Sequence, residues 1–425
     1  MQKNQGTFKN IIVWSVITAA FIGPGTLTTA AGAGARFSYD LLWTVVFATV
    51  ACLVLQEGAA RLSILSGKDL GTLIRGQRGK VWVVARYLTG ISVIFGCVAY
   101  QSGNVAGAVS GMSLAGLSDG PFLAGGLSAL VFALLFTGNY KAISRVLTAM
   151  VALMGTVFLV TAFLSDARLT TVLQGLSPSL PTGSGLAVLG LIGTTIVPYN
   201  LFLGSGVGKG QGISDMRKGL AIMVLFGGAI TGSVLITGAM VQGAFDFPSL
   251  AAAMEAKIGG WSVWLLAAGL FAAGFTSCVT APLAAGFIAR SIFGDPEKKN
   301  DRSYLAGWMI VVGAGAIVGM LGLRPIPLII LAQALNGLVL PLVAFIIVLF
   351  LNDRSMVGAS GLNKMIINII TLMVLAIVTG IGLMNLFSAA EKAFGISLEQ
   401  AIWPVTLGLM ALAVAGTVHR RNYKF

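Results

Sequence analysis

Residues Phe21–Tyr39 read FIGPGTLTTAAGAGARFSY, and they begin inside a long apolar run that Gly23-Pro24-Gly25 interrupts. Proline removes a backbone donor and clashes with the preceding helical turn, and glycine disfavours helix. Inside a bilayer, the backbone groups that such a break frees must find partners in protein or water rather than in lipid. The stretch therefore predicts a helix that is broken at mid-membrane, next to a polar cavity.

The composition of the chain is typical of a membrane protein with many spans. Of its 425 residues, 56% are hydrophobic and 10% are charged. Apolar runs of about 20 residues, the length that crosses a hydrocarbon core, recur along the chain. We predict an all-α polytopic membrane protein that forms a single membrane domain over residues 1–425. The twelve predicted spans cover residues 11–35 (broken), 40–63, 81–107, 119–138, 142–165, 184–206 (broken), 219–242, 261–290, 304–322, 326–352, 363–388 and 401–418.

The basic residues support this span count and set the orientation. With the N-terminus in the cytoplasm, 22 of the 27 Lys and Arg residues fall on the cytoplasmic side. Because basic loops stay inside, we expect both termini in the cytoplasm and the chain in the cell (inner) membrane. The same bias accounts for the formal net charge of +13, so nucleic acid is not an expected partner. The five basic residues on the outside are Arg36, Arg168, Lys257, Arg324 and Lys392.

A second interruption occurs in the sixth span, where Pro198 follows the apolar run Leu191–Val197. Spans one and six hold corresponding places if the chain consists of two five-helix repeats, 1–165 and 184–352, followed by two extra helices at 363–418. One of these spans begins inside and the other outside, so the repeats are inverted. Interrupted helices at corresponding positions of two repeats mark a transporter's binding site. For each proline alone, the alternative is a simple kink.

Both interrupted stretches resemble the Nramp family of divalent-metal transporters, which share the fold of the leucine-transporter group. In that family a DPGN motif breaks the first helix and an AGA-x-F-x-Y-x-LLW stretch follows. Here Gly23–Thr26 is followed at the same interval by Ala33–Trp43, and the family's MPHN in the sixth helix corresponds to Val197–Asn200. The resemblance covers most of the chain and implies the leucine-transporter-type inverted repeat of 5+5 helices. Further matching segments are Gly67–Leu70, Ile329–Pro341 and Asn352–Gly358.

The resemblance also shows where this chain departs from the family. The four positions whose side chains hold metal in the family are occupied here by Gly23, Thr26, Val197 and Tyr199. A divalent ion needs anionic or well-placed neutral donors to offset its dehydration. Gln333, which looks like a retained family position, does not replace a carboxylate, a thioether and an imidazole. We therefore expect no metal site of the family's type, and no cofactor.

The altered pocket is expected to be polar and neutral, with a bias toward anions because helix N-termini bind carboxylates. The preferred cargo is a small carboxylate or amino-acid-like organic solute. One alternative is a divalent metal ion of the Mn, Fe or Mg type carried with protons, as in the parent family, and another is a sensor that does not transport. Asn104 and Thr194 could also offer amide and hydroxyl groups to the pocket. The alternative for each of these polar residues is a hydrogen bond to a neighbouring helix. The predicted substrate-binding residues are Gly23, Pro24, Gly25, Thr26, Gln101, Thr195, Val197, Pro198, Tyr199, Asn200, Gln333 and Asn336.

Two coupling ions, the proton and sodium, are candidates from the sequence. Glu57 is the acidic residue that lies inside a predicted span rather than at its edge, and Arg61 four residues later predicts an i,i+4 ion pair rather than a proton relay. Proton coupling is what the resemblance implies. Sodium is the alternative, because Thr276 and Ser277 match hydroxyls that hold sodium in the leucine-transporter group. The spans contain no paired carboxylates and no nucleophile–base set, so enzymatic activity is not expected. The oligomeric state is open.

Overall fold

A computed structural model of the chain describes residues 2–117, 120–298, 301–322, 339–394 and 402–422. Within these ranges, eight helical segments are long and apolar enough to cross a membrane, a bent pair makes a ninth, and three more apolar helices are shorter. The helices are α1 (Gln2–Phe21), α2 (Pro24–Phe37), α3 (Leu42–Ser66), α4 (Leu70–Arg75), α5 (Lys80–Leu114), α6 (Pro121–Phe136), α7 (Tyr140–Phe163), α8 (Leu169–Gln174), α9 (Gly185–Thr195), α10 (Pro198–Gly208), α11 (Ile213–Gly238), α12 (Phe247–Ile258), α13 (Trp261–Phe293), α14 (Arg302–Met320), α15 (Val339–Leu351), α16 (Arg354–Gly361), α17 (Met365–Phe394) and α18 (Ile402–Asn422).

These apolar helices coincide with the predicted spans. Each predicted span contains one of them or, at the first and sixth spans, a pair. The tenth predicted span, 326–352, is described only from Val339, where α15 begins. The predicted all-α membrane architecture is therefore confirmed over the described part of the chain. The repeat boundaries at residues 165 and 184 stay a prediction.

Both predicted breaks are present. α1 ends at Phe21 and α2 begins at Pro24, with the two axes bent by 61°. α9 ends at Thr195 and α10 begins at Pro198, after two residues that leave the helical conformation. Each proline occupies the first helical position, where its missing N–H removes no intrahelical hydrogen bond. The prolines thus begin new helices and are not mid-helix kinks.

The connections between spans carry four short helices, α4, α8, α12 and α16, which the span pattern does not predict. α12 begins with a capping box, in which Asp246 accepts from the Ser249 amide at 2.6 Å and Ser249 accepts from the Asp246 amide at 3.0 Å. The same helix buries Phe247, Leu250 and Met254. A polar connection can therefore be helical when a cap and an apolar face occur together.

Helices α2 and α11 pack with their backbones in contact. A Cβ atom added at Gly34 would lie 2.0 Å from the carbonyl oxygen of Leu235. One added at Gly238 would lie 2.2 Å from the carbonyl oxygen of Ala31. Glycine permits this approach, which is a common way for helices to associate in membranes. The contact fixes α2, the second half of the first broken span, against α11.

The predicted ion pair between Glu57 and Arg61 is confirmed, with Nε and Oε1 3.1 Å apart. Arg217 at the start of α11 donates to the same carboxylate oxygen at 2.8 Å. Arg61 also donates to the carbonyl oxygen of Gly361 at 2.8 Å and to the side-chain oxygen of Asn363. This network joins α3, α11 and the segment between α16 and α17.

The three cysteines of the chain are buried and unbridged. Cys52 lies in α3, Cys97 in α5 and Cys278 in α13, and all three belong to the apolar core. Buried thiols of this kind serve as small packing residues.

Candidate functional site

The two breaks face each other across a cavity of about 10 Å³. The Thr26 hydroxyl oxygen of α2 lies 3.0 Å from the Thr194 hydroxyl oxygen of α9. The Tyr199 hydroxyl of α10 donates to the carbonyl oxygen of Ala20, near the end of α1, at 2.8 Å. Each break is thus hydrogen-bonded to the other. The cavity is lined by Ala20, Phe21, Gly23, Gly25, Thr26, Tyr100, Asn104, Thr194, Val197, Tyr199 and Ser277.

Thr26 holds the two breaks together. Its hydroxyl donates to the carbonyl oxygen of Phe21 at 2.5 Å, one of the carbonyls that the end of a helix leaves without an intrahelical partner. A hydroxyl has a single hydrogen, so Thr194 must be the donor in the Thr26–Thr194 pair. One side chain therefore completes the end of α1 and accepts a hydrogen bond from α9.

Helices α5 and α13 complete the cavity wall. Tyr100 and Asn104 lie one turn apart on α5, and the Tyr100 ring meets the Tyr199 ring edge-on, with centroids 5.9 Å apart. Ser277 of α13 donates weakly, at 3.4 Å, to the carbonyl oxygen of Ala19. Tyr100 is not among the residues predicted from the sequence, although a polar residue four positions before Asn104 in an apolar span is the signal that could have identified it.

Two of the predicted residues use their hydroxyl groups within their own helices. Thr195 donates to the carbonyl oxygen of Leu191 at 2.9 Å, and Thr276 donates to that of Ala273 at 3.0 Å. Neither lines the cavity between the breaks. The hydroxyl of Thr195, predicted to bind substrate, and that of Thr276, predicted to bind a coupling ion, therefore do not contact that cavity.

Other predicted residues brace the site from outside the cavity. The Gln101 amide donates to the carbonyl oxygen of Cys278 at 3.1 Å, and the Asn200 amide donates to that of Ile17 at 3.3 Å. Both side chains are fully buried. Both connect helices, which is the alternative to substrate binding given for such residues above. Pro24 and Pro198 act by beginning α2 and α10. The predicted residues Gln333 and Asn336 lie outside the described residues.

The cavity between the breaks is polar without formal charge. Its lining contains no Asp, Glu, Lys, Arg or His, and the described part of the chain contains no group of three or more His, Cys, Asp or Glu that could hold a metal ion. The available donors are hydroxyl, amide and carbonyl oxygens. Such oxygens suit hard cations, and they also suit hydrogen-bonding organic groups.

A larger cavity, of about 510 Å³, lies on the predicted cytoplasmic side of the breaks. We call it the basic vestibule, because Lys141 and Arg145 of α7 are its charged lining residues. Val16 in its wall lies four residues, one helical turn, before Ala20 of the cavity between the breaks. The other lining residues are Ile12, Val13, Ile143, Ser144, Leu203, Gly206, Val207, Leu283 and Phe287.

Comparison with known proteins identifies the family. The model of the family "Natural resistance-associated macrophage protein-like", Nramp, matches residues 15–388. The chain belongs to the Nramp family. A relative of this Nramp chain, the "Divalent metal cation transporter MntH" of Verminephrobacter eiseniae, is 28% identical over 370 residues, which are 81% of each protein.

Solved structures agree with the fold of this Nramp protein. A mutant of the manganese transporter from Eremococcus coleocola superposes with a TM-score of 0.76 at 18% identity, over 97% of this chain and 94% of that one. Mhp1, a nucleobase-cation-symport-1 family transporter in a closed conformation, superposes with a TM-score of 0.56 at 15% identity, over 98% of this chain and 96% of that one. At these identities the likeness concerns the fold, and it confirms the predicted leucine-transporter-type architecture.

Gly23, at a metal-ligand position of the Nramp family, is crowded by Ser277. A Cβ atom at Gly23 would lie 2.5 Å from the Ser277 hydroxyl oxygen and 3.2 Å from its Cβ. We expect Gly23→Ala to lower the thermal unfolding temperature, because the hydroxyl must turn away from the Ala19 carbonyl. Ser277→Ala in the Gly23→Ala background should recover most of the loss. Equal unfolding temperatures for the wild type and Gly23→Ala would contradict this description of the site.

Proposed function

We propose that this Nramp protein is a secondary transporter that works by alternating access and binds its cargo between the breaks at α1/α2 and α9/α10. Family membership and the paired breaks support this proposal. We further propose that it lies in the cell membrane with both termini in the cytoplasm, on the strength of the 22 to 5 distribution of basic residues.

The first candidate cargo is a divalent cation. The organic solute preferred from the sequence has no support in the comparisons, whose relatives are named as metal transporters. The observation that supports the cation is the cavity itself, which has hydroxyl and amide oxygens among its lining residues and measures about 10 Å³. A space of that size is close to the minimum that holds one water molecule. It therefore suits a small ion in the conformation described here.

The chemistry of the donor atoms narrows the choice of cation. Thr26, Thr194 and Tyr199 offer hydroxyl oxygens, Asn104 offers an amide oxygen, and the end of α1 offers backbone carbonyls. The lining contains neither a thioether nor an imidazole, the ligands that select softer transition metals. Mg²⁺ and Mn²⁺ accept oxygen donors, and Mg²⁺ keeps part of its water shell when bound. A hard divalent cation, Mn²⁺ or Mg²⁺, is therefore the metal that these oxygen donors suit.

The second candidate cargo, a small carboxylate, is favoured by the charge balance of the two cavities. The cavity between the breaks has no acidic side chain to offset a double positive charge. The basic vestibule adds Lys141 and Arg145 on the route to the predicted cytoplasmic side, where they would repel a cation and attract an anion. An organic solute would require the cavity between the breaks to widen during the transport cycle.

Uptake into proteoliposomes distinguishes the two candidates. The purified protein is assayed with labelled manganese, with magnesium and with a panel of labelled small carboxylates, against protein-free liposomes. Saturable cation uptake that is not inhibited by carboxylates supports the first candidate. Saturable carboxylate uptake that is not inhibited by divalent cations supports the second. Uptake of neither would contradict the transporter proposal and favour a sensor. Removing sodium, or adding an uncoupler, in the same assay separates coupling through Ser277 from coupling to protons.

A further inference from the structure

A cavity of about 640 Å³ lies away from the breaks, between α3, α11 and α17. Its volume is in the range of ligand-binding cavities. Charged residues line one end of it: Glu57 and Arg61 of α3, Arg217 of α11, and Lys364 immediately before α17. The other end is apolar and includes Leu53, Val54, Leu220, Ala221, Ile367 and Ile370.

The three helices present their charges at the same depth. α3 runs toward its charged end, with Leu53 two turns before Arg61, whereas α11 and α17 run away from theirs. That end is the predicted cytoplasmic end of all three helices. The cavity is therefore polar at the membrane surface and apolar deeper in the membrane, which is the polarity of a phospholipid.

The charged end has an excess of positive charge. Glu57 is its single acid, and it is already paired with Arg61 and Arg217. The Arg61 side chain is 6% exposed and donates to Gly361 and Asn363 as well, so it is held in place. The Arg217 side chain is 52% exposed, and Lys364 is exposed without an ion pair among the described residues. Two cations therefore remain accessible to a ligand.

The cavity borders the surface that contacts lipid tails. Ile366 and Ile369 of α17 flank it and are 70% and 57% exposed. Ile222 and Leu225 of α11 flank it on the other side and are 44% and 54% exposed. Apolar side chains at this depth are exposed to hydrocarbon, so an acyl chain can reach the cavity from the bilayer.

We propose that this cavity binds an anionic phospholipid. Its phosphate contacts Lys364 and Arg217, and one acyl chain lies along Leu220 and Ile367. Charge complementarity identifies the occupant, since basic pockets between helices at the membrane surface bind anionic headgroups. The bound lipid bridges α11 and α17 beside the Glu57–Arg61 network, and so it stabilises the packing of the two extra helices against the core.

The test measures phospholipid binding to the full-length protein in detergent by native mass spectrometry, with thermal unfolding in parallel. Phosphatidylglycerol should be retained and should raise the unfolding temperature, whereas phosphatidylcholine should do neither. Lys364→Gln should weaken phosphatidylglycerol binding about fivefold. Lys218→Gln, the same charge change beside Arg217 but outside the cavity, should bind like the wild type. Ala221→Phe, which fills the apolar end, should also weaken binding.

Three outcomes would overturn the proposal. Equal retention of phosphatidylcholine would mean that the cavity does not select charge. Competition by millimolar inorganic phosphate would assign the site to a soluble anion instead of a lipid. Unchanged binding in both Lys364→Gln and Ala221→Phe would place the lipid elsewhere on the protein.

Discussion

Replacing Thr26 with valine should reduce uptake about tenfold or more while leaving the protein folded. Valine keeps the shape of the side chain but removes the hydroxyl that donates to Phe21 and accepts from Thr194. A buried polar group left without its partner costs about 1–3 kcal/mol, and here two such groups, one in each break, lose theirs. The arrangement in which the breaks are joined is then disfavoured relative to the other states of the transport cycle.

The measurement is the initial rate of uptake in proteoliposomes of whichever cargo the panel identifies, normalised to the amount of reconstituted protein. Thr28→Val is the matched control, because Thr28 lies on the same helix, is buried, and has a hydroxyl without a hydrogen-bond partner among the described residues. Its replacement should be neutral or slightly stabilising. Equal uptake rates for Thr26→Val and the wild type would show that Thr26 has no role in the site.

Gly34→Ala should prevent the accumulation of folded protein. The new Cβ would lie 2.0 Å from the Leu235 carbonyl oxygen and 2.8 Å from the Ala239 amide nitrogen. Both neighbours are backbone atoms, one in α11 and one in the residue directly after it, so no side-chain rotation can relieve the contact. Overpacking in a core typically costs about 1–3 kcal/mol, and we expect a cost at or above this range because α2 and α11 must separate.

The measurement is the yield of monodisperse protein in size-exclusion chromatography after membrane extraction. Gly32→Ala is the control on the same helix, because its Cβ would meet the Phe245 ring at 3.6 Å, which is an ordinary contact. Gly32→Ala should behave like the wild type. Normal yield and unfolding temperature for Gly34→Ala would show that α2 and α11 do not pack as closely as described.

The sequence predicts the span architecture and the two breaks well, because both follow from local chemistry. Apolar runs of membrane-spanning length and the distribution of basic residues determine the span order. Pro24 and Pro198 mark the breaks, since proline begins a helix more readily than it continues one. The capped helix α12 is missed because its apolar face is too short to stand out from a polar connection.

The cavity wall is predicted less completely, because periodicity gives the face of a helix but not the partner of each side chain. Thr195 is adjacent to Thr194 in sequence, yet its hydroxyl bonds to its own helix while that of Thr194 reaches the other break. Gln101 is adjacent to Tyr100, and only Tyr100 lines the cavity. Such differences depend on how two distant segments meet, which a single sequence does not specify. The same limit applies to the cargo. The sequence shows which positions have lost the metal-binding side chains of the family, but it does not show what the side chains now present bind.

The burial of Cys52, Cys97 and Cys278 has a practical consequence. A membrane-impermeant maleimide meets no accessible native thiol in the folded protein, so the natural chain can serve as an unlabelled background without prior removal of cysteines. A single cysteine introduced at the exposed positions Lys68 or Lys257 would then report, in intact cells, which end of the molecule faces the medium.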